Sequence, residues 1–359
     1  MSSSPDGRSP SFVENFFPGY FALVMATGIV SLAMHFEGFP ALPEVLLWLN
    51  VIFYVILWGI TGLRILRFRS ALIADLTHHA RGVTFLTIVA GSAVLGVQFA
   101  ILTPYITIAA GLWVLAVFLW ILLIYTFFAA VTIVEPKPSI AVTINGSWLL
   151  VTVSTESLTV LGTMVAQTLG APTPILFAVF CSYLVGAMFY LLFIALILYR
   201  WIFLSMEPVK LTPPYWINMG ALAITALAGA RLVLASTGLG LLHDLHPFIV
   251  GFTLFFWATG TWWIPLLVVV GIWRHVIERV PITYDPQYWS LVFPLGMYTV
   301  ATFILANAIG TPFLLIIPQI GVYIATLAWL ITFGSMLFKL GTFYLTSGRL
   351  KTALATRTR

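Results

Sequence analysis

Apolar residues run along this chain in long blocks of about 20 residues, separated by short polar joints. A helix needs about that many apolar residues to cross the hydrocarbon core of a bilayer, so each block predicts one spanning helix. Ten blocks are read, at roughly 16–35, 43–65, 82–101, 106–133, 147–168, 174–202, 214–236, 247–273, 287–309 and 313–344. Residues 1–12, which open MSSSPDGRSPS, predict a disordered polar tail. Residues 13–345 hold the membrane domain, and 346–359 form a basic tail. The first block is too long for the h-region of a cleaved signal peptide and is read as a span.

The blocks differ in kind. Even-numbered ones are bulky on every face, as in LLWLNVIFYVILWGI, and a helix apolar all round suits lipid. Odd-numbered ones carry small or polar residues at helical spacing. The stripe is Gly19, Ala22, Ala26 and Ala33 in the first span, with Thr27 and Gly28 beside it, and Thr84, Thr87, Gly91 and Gln98 in the third. It continues as Thr152, Glu156, Thr159 and Thr163 in the fifth, Asn218, Ala221, Thr225 and Gly229 in the seventh, and Phe293, Gly296 and Val300 in the ninth. Two readings stand side by side. Small residues let membrane helices pack closely, and Ser or Thr can bond its own backbone; alternatively, the stripes face a shared, mildly polar axis. Strict alternation of five striped spans with five greasy ones favours the axis. The expected fold is an all-α polytopic membrane protein built as five helical hairpins, with odd helices lining a central pore and even helices outside.

Composition agrees: 61% of the 359 residues are hydrophobic and 8% charged, against about 25% charged in soluble domains. Charge then orients the spans. Of the 16 Lys and Arg, all except Arg231 fall in the tails and in alternate loops, and the other loops hold none. Positive residues stay cytoplasmic, which places both termini inside a multi-pass cell (inner or plasma) membrane protein. The net charge of +5 is therefore topological, and no nucleic-acid partner is assigned. Asn145 opens an NGS sequon but falls in a cytoplasmic loop on this reading. Cys181 stands alone, so no disulfide forms within the chain. The histidines are split between the two sides, and no metal or other cofactor is expected. No phosphate loop or nucleophile-and-base pair is present, so the chain is read as no enzyme. An intramembrane enzyme and a chromophore or signalling receptor are the weaker rivals.

FFPGYFALVMATGIVSLA in the first span and YWSLVFPLGMYTVATFIL in the ninth resemble the tellurite-resistance/dicarboxylate transporter family. That family includes plant slow-type anion channels, fungal malate permeases and sulfite efflux proteins. PPYWINMGALAITALAG in the seventh span is similar more loosely. The resemblance implies quasi-five-fold hairpins around a pore, a homotrimer with one pore per subunit, and small-anion cargo. Candidate cargoes are C4-dicarboxylates such as malate, or oxyanions such as sulfite and tellurite. It also implies a pore-blocking phenylalanine on the ninth helix, which maps to Phe293 beside Pro294, with Phe303 as the alternative.

Three residues carry candidate chemistry. A proline inside a helix frees a carbonyl and kinks the chain, and a bulky ring held there can close a narrow pore by excluding water. Glu156 lies about 15 Å along its helix, near the bilayer midplane, where an acid costs about 2.5–3.5 kcal/mol on insertion scales. It either sits protonated as structure or exchanges a proton during transport. Arg231 lies about 25 Å along the seventh helix, close to the outer mouth, where it either attracts anions or snorkels outward.

Overall fold

The computed structural model describes residues 11–170, 172–236 and 240–357. Most of the expected N-terminal tail, residues 1–10, lies outside them. Ten described helices are long and apolar enough to span a bilayer. They are α1 (Pro18–Phe36), α2 (Leu42–Arg67), α3 (Gly82–Leu102), α4 (Ile106–Ile133) and α5 (Gly146–Thr168). The remainder are α6 (Thr173–Phe203), α7 (Pro213–Ala235), α8 (His246–Ile277), α9 (Pro286–Ala308) and α10 (Pro312–Thr342). The last helix continues beyond its apolar stretch to Arg357.

Burial separates the two kinds of helix. The most apolar windows of the odd helices are 83–94% buried, and those of the even helices 22–39%. Each odd helix packs on the even helix that follows it. The odd helices also touch one another in the order α1, α3, α5, α7, α9 and back to α1, so they close a ring of five. Bulky even helices such as α4, with Val114, Phe118, Ile121 and Tyr125 exposed, present the apolar outer surface that lipid requires.

Every inner helix starts with a tight 3₁₀ turn before it relaxes to α: Pro18–Phe21, Gly82–Phe85, Gly146–Leu149, Pro213–Trp216 and Pro286–Tyr288. The five segments read PGYF, GVTF, GSWL, PPYW and PQY. Pro or Gly opens each, as suits a first helical position with no intrahelical acceptor for its N–H. Asn145 caps the third of them, its side chain accepting from Ser147 N at 2.8 Å.

The basic residues at the ends of the outer helices do more than orient the chain. Arg64 of α2 is buried and donates to the Phe16 carbonyl at 2.9 Å. Arg200 of α6 donates to the Ile144 carbonyl and to Tyr215 Oη at 2.8 Å. Lys339 of α10 donates to the Tyr284 carbonyl at 3.1 Å. Each acceptor lies two residues before the 3₁₀ turn of its own hairpin's inner helix. Three of the five hairpins are thus tied at the basic end by a cation on a backbone oxygen, a type of bond worth about 1.5–3 kcal/mol. Arg64 also meets Asp75 at 2.6 Å, and Asp75 meets Arg81 at 2.9 Å, which pins the short helix Arg69–Leu76 against the bundle.

Gly146 sits where the first turns of α5 and α7 press together. A Cβ there would lie 2.1 Å from the Pro214 carbonyl oxygen and 2.7 Å from Tyr215 Cα. Backbone on both sides cannot yield, so Gly146→Ala is expected to cost about 1–3 kcal/mol, as overpacking does. Thermal unfolding in detergent reads this as a lowered midpoint; an unchanged midpoint would show that the seam has slack.

Candidate functional site

All five inner helices contribute to one narrow cavity of about 20 Å³, room for little more than one water. Its wall is made by Ile29, Leu32 and Phe36 of α1, Ala93, Val94, Val97 and Ile101 of α3, Ser157 and Val160 of α5, Ile224, Leu227 and Arg231 of α7, and Met297 and Val300 of α9. Most of these residues lie in the second half of their helices, so the cavity occupies the half of the ring away from the basic end. The wall is apolar with two exceptions, the Ser157 hydroxyl and the Arg231 guanidinium. Arg231 Nε is enclosed and has no hydrogen-bond partner.

This wall differs from the expected one of threonine and glycine. On α1, α3, α5 and α7 the small or polar stripe is turned from the cavity face by roughly a quarter-turn or more, at 3.6 residues per turn, and it serves the seams between helices. Thr27 accepts from Trp329 Nε1 of α10 at 3.0 Å. A Cβ at Gly28 would meet Val94, Asn50 and Gln98, one at Gly91 would meet Phe21 and Val24, and one at Gly296 would meet Ile29. Thr84 donates to Arg81 O in its own first turn, while Thr87 donates to Thr84 O and to Pro18 O of α1. Thr159 donates to Val179 O of α6 at 3.5 Å, and Thr225 to Ala221 O at 2.8 Å. The hydroxyl of Thr152 and both side-chain polar atoms of Asn218 are buried without partners. Close approach of helices through small residues therefore accounts for most of that stripe.

Phe293 and Pro294 divide two tasks. Phe293 is 1% exposed, and it precedes Met297 by four residues and Val300 by seven, which puts it on the same face of α9 as those two cavity residues. One turn separates it from Met297, about 6 Å along the axis towards the basic end. It thus lies on the cavity face of α9, one turn nearer the basic end than the lining residue Met297. Pro294 instead packs on α7, where a Cβ at Gly220 would lie 2.6 Å from its ring. Phe303 stacks on Phe36 with ring centroids 5.0 Å apart, beside the cavity's outer part.

Glu156 is fully buried, one residue round the helix from Ser157 and so turned off the cavity wall. Its carboxylate leans on α6, where a Cβ at Gly186 would lie 2.4 Å from Oε1. Thr225 stands beside it. Neither carboxylate oxygen has a hydrogen-bond partner. Close by, Tyr183 Oη and Thr253 Oγ1 are 3.3 Å apart.

The family model described as SLAC1, voltage-dependent anion channel, matches residues 15–337. A membrane protein of Mycobacterium tuberculosis is 41% identical over 156 residues, covering 43% of this chain and 78% of the relative. A transporter of Methanocaldococcus jannaschii is 24% identical over 84% of this chain and 87% of its own length. A sulfite efflux pump of Arthroderma benhamiae is 24% identical over 91% of both.

Proposed function

The chain belongs to the voltage-dependent anion channel family, and from that premise we propose that it moves small anions through the axis of its five inner helices. The observation that carries the reading is the cavity reached by all five, whose one charged wall residue is the cation Arg231. Apolar walls hold an anion weakly, and weak holding suits fast release. Small oxyanions such as sulfite are the first cargo to test, in view of the sulfite efflux relative; tellurite and C4-dicarboxylates such as malate come next. Assembly as a homotrimer with one pore per subunit belongs to the same reading. Phe293 is its gate, and passage is passive.

A second reading, proton-coupled transport, is favoured by the enclosed, unpartnered carboxyl of Glu156. One experiment separates the two. The protein is reconstituted in liposomes, and flux is measured over a panel of anions with and without a pH gradient. Under coupling, Glu156→Gln keeps the side-chain shape, removes the titration and flattens the pH dependence of uptake, while the variant still elutes monodisperse. Under passive conduction, the wild-type and variant pH profiles coincide. No flux of any anion by the wild type would overturn both.

A further inference from the structure

The basic end holds a second cavity, outside the inner ring and of about 170 Å³. It lies where α6 and α8 end and where α7 and α9 begin. Trp201, Trp216, Tyr288 and Leu291 supply apolar and aromatic walls, and Arg274 and His275 supply polar edges. Three outer helices tie their terminal cation to a carbonyl of their own hairpin, through Arg64, Arg200 and Lys339. The second and fourth hairpins lack such a tie, and in the fourth the outer helix still ends on a cation, Arg274. The Arg274 side chain makes no hydrogen bond or ion pair among the described residues, and its Nε is enclosed without an acceptor. Trp201 Nε1, from α6, is also enclosed; it lies beside Tyr215 Oη without making a well-formed hydrogen bond. Helix α8 itself changes here, widening into a π turn at Trp273–Ile277, a feature often found at functional sites. His275 Nδ1 is engaged with the Val280 carbonyl at 2.8 Å, which orients the ring.

We propose that this cavity binds the phosphate headgroup of an anionic lipid, with Arg274 as the principal ligand. Unsatisfied donors around one cavity call for an acceptor-rich anion, and an Arg fork matches phosphate oxygens. The apolar remainder and the position at the end of two spans favour a headgroup that carries acyl chains over free phosphate, since basic pockets between membrane helices take such lipids. The occupant rests against Tyr288 and Leu291, on the turn that leads to Phe293. The site is independent of the anion path, so its failure would leave the transport reading intact.

Native mass spectrometry of the full chain, released from vesicles of equal phosphatidylglycerol and phosphatidylcholine, tests the site. Wild type is expected to retain phosphatidylglycerol in preference to phosphatidylcholine. Arg274→Gln should lower that retention about tenfold, the loss of one charge-assisted bond. Gly271 also lines the cavity, and a Cβ there would meet nothing within 4 Å. Gly271→Leu therefore fills the site without touching charge and should lower retention to a similar extent. Arg279 is exposed, so Arg279→Gln removes the same charge without loss of the lipid. The proposal is overturned if Arg274→Gln holds phosphatidylglycerol as wild type does, or if phosphatidylcholine is held equally. It is also overturned if millimolar inorganic phosphate strips the lipid, which would mark a soluble-anion site.

Discussion

Replacing Phe293 by alanine is expected to raise anion flux through the reconstituted protein about tenfold or more, tenfold for each ~1.4 kcal/mol of barrier removed. The ring is 1% exposed and lies one helical turn before Met297, a lining residue of the cavity whose walls come from all five inner helices. Nothing polar is needed for the block: a narrow apolar constriction resists ions by excluding water. Removing the ring leaves space that water can enter. Phe293→Leu, which keeps most of the bulk, should fall between wild type and alanine. Alanine at Phe303, which stacks on Phe36 beside the outer part of the cavity, should change flux far less. Equal flux in wild type and Phe293→Ala would remove the gate from this position.

Neutralising Arg231 is expected to have the second large effect, on selectivity. A cation in a low-dielectric vestibule concentrates counter-ions and raises their entry by about 10-fold to 1,000-fold. Arg231 is the charged residue of the cavity wall, and its Nε has no partner, so the charge is not spent within the protein. Arg231→Gln should therefore lower the anion-to-cation permeability ratio, read as a shift of reversal potential in an asymmetric salt gradient. Arg231→Lys should restore most of it. High ionic strength should shrink the difference between wild type and Gln, because screening reaches an open vestibule. A reversal potential that is the same in wild type and Gln would assign Arg231 to packing.

Much of this architecture was legible along the chain because lipid imposes its own pattern. Residues 106–133 were expected as one span, and α4 is Ile106–Ile133. α4 and α8 read as greasy all round because only 28% and 22% of their most apolar windows are buried in the protein. The alternation of striped and bulky spans did separate inner from outer helices. What it could not reveal was which face of an inner helix looks at the axis. On α5 both the stripe with Thr152, Glu156 and Thr159 and the cavity face with Ser157 and Val160 are buried, so burial leaves no periodic mark. Small residues flag close contact, and here the contact is helix on helix, as at Gly186 against Glu156. Phe293 was singled out by the family resemblance, with its place beside Pro294 giving a mechanical reason for the choice. The cations were visible but read only as topological markers. That Arg64 and Arg200 grip carbonyls 48 and 56 residues earlier in the chain depends on how each hairpin folds back.

The closed circle of inner helices also bears on how such a protein opens. Each member is locked between two neighbours, with seams so close that a single added carbon at Gly220 or Gly296 would collide with the next helix. An iris-like dilation would have to loosen five seams together, a collective motion of microseconds to milliseconds. Swinging one aromatic ring aside disturbs none of them. If Phe293 is the gate proposed above, seams this close would keep the bore constant while the ring moves.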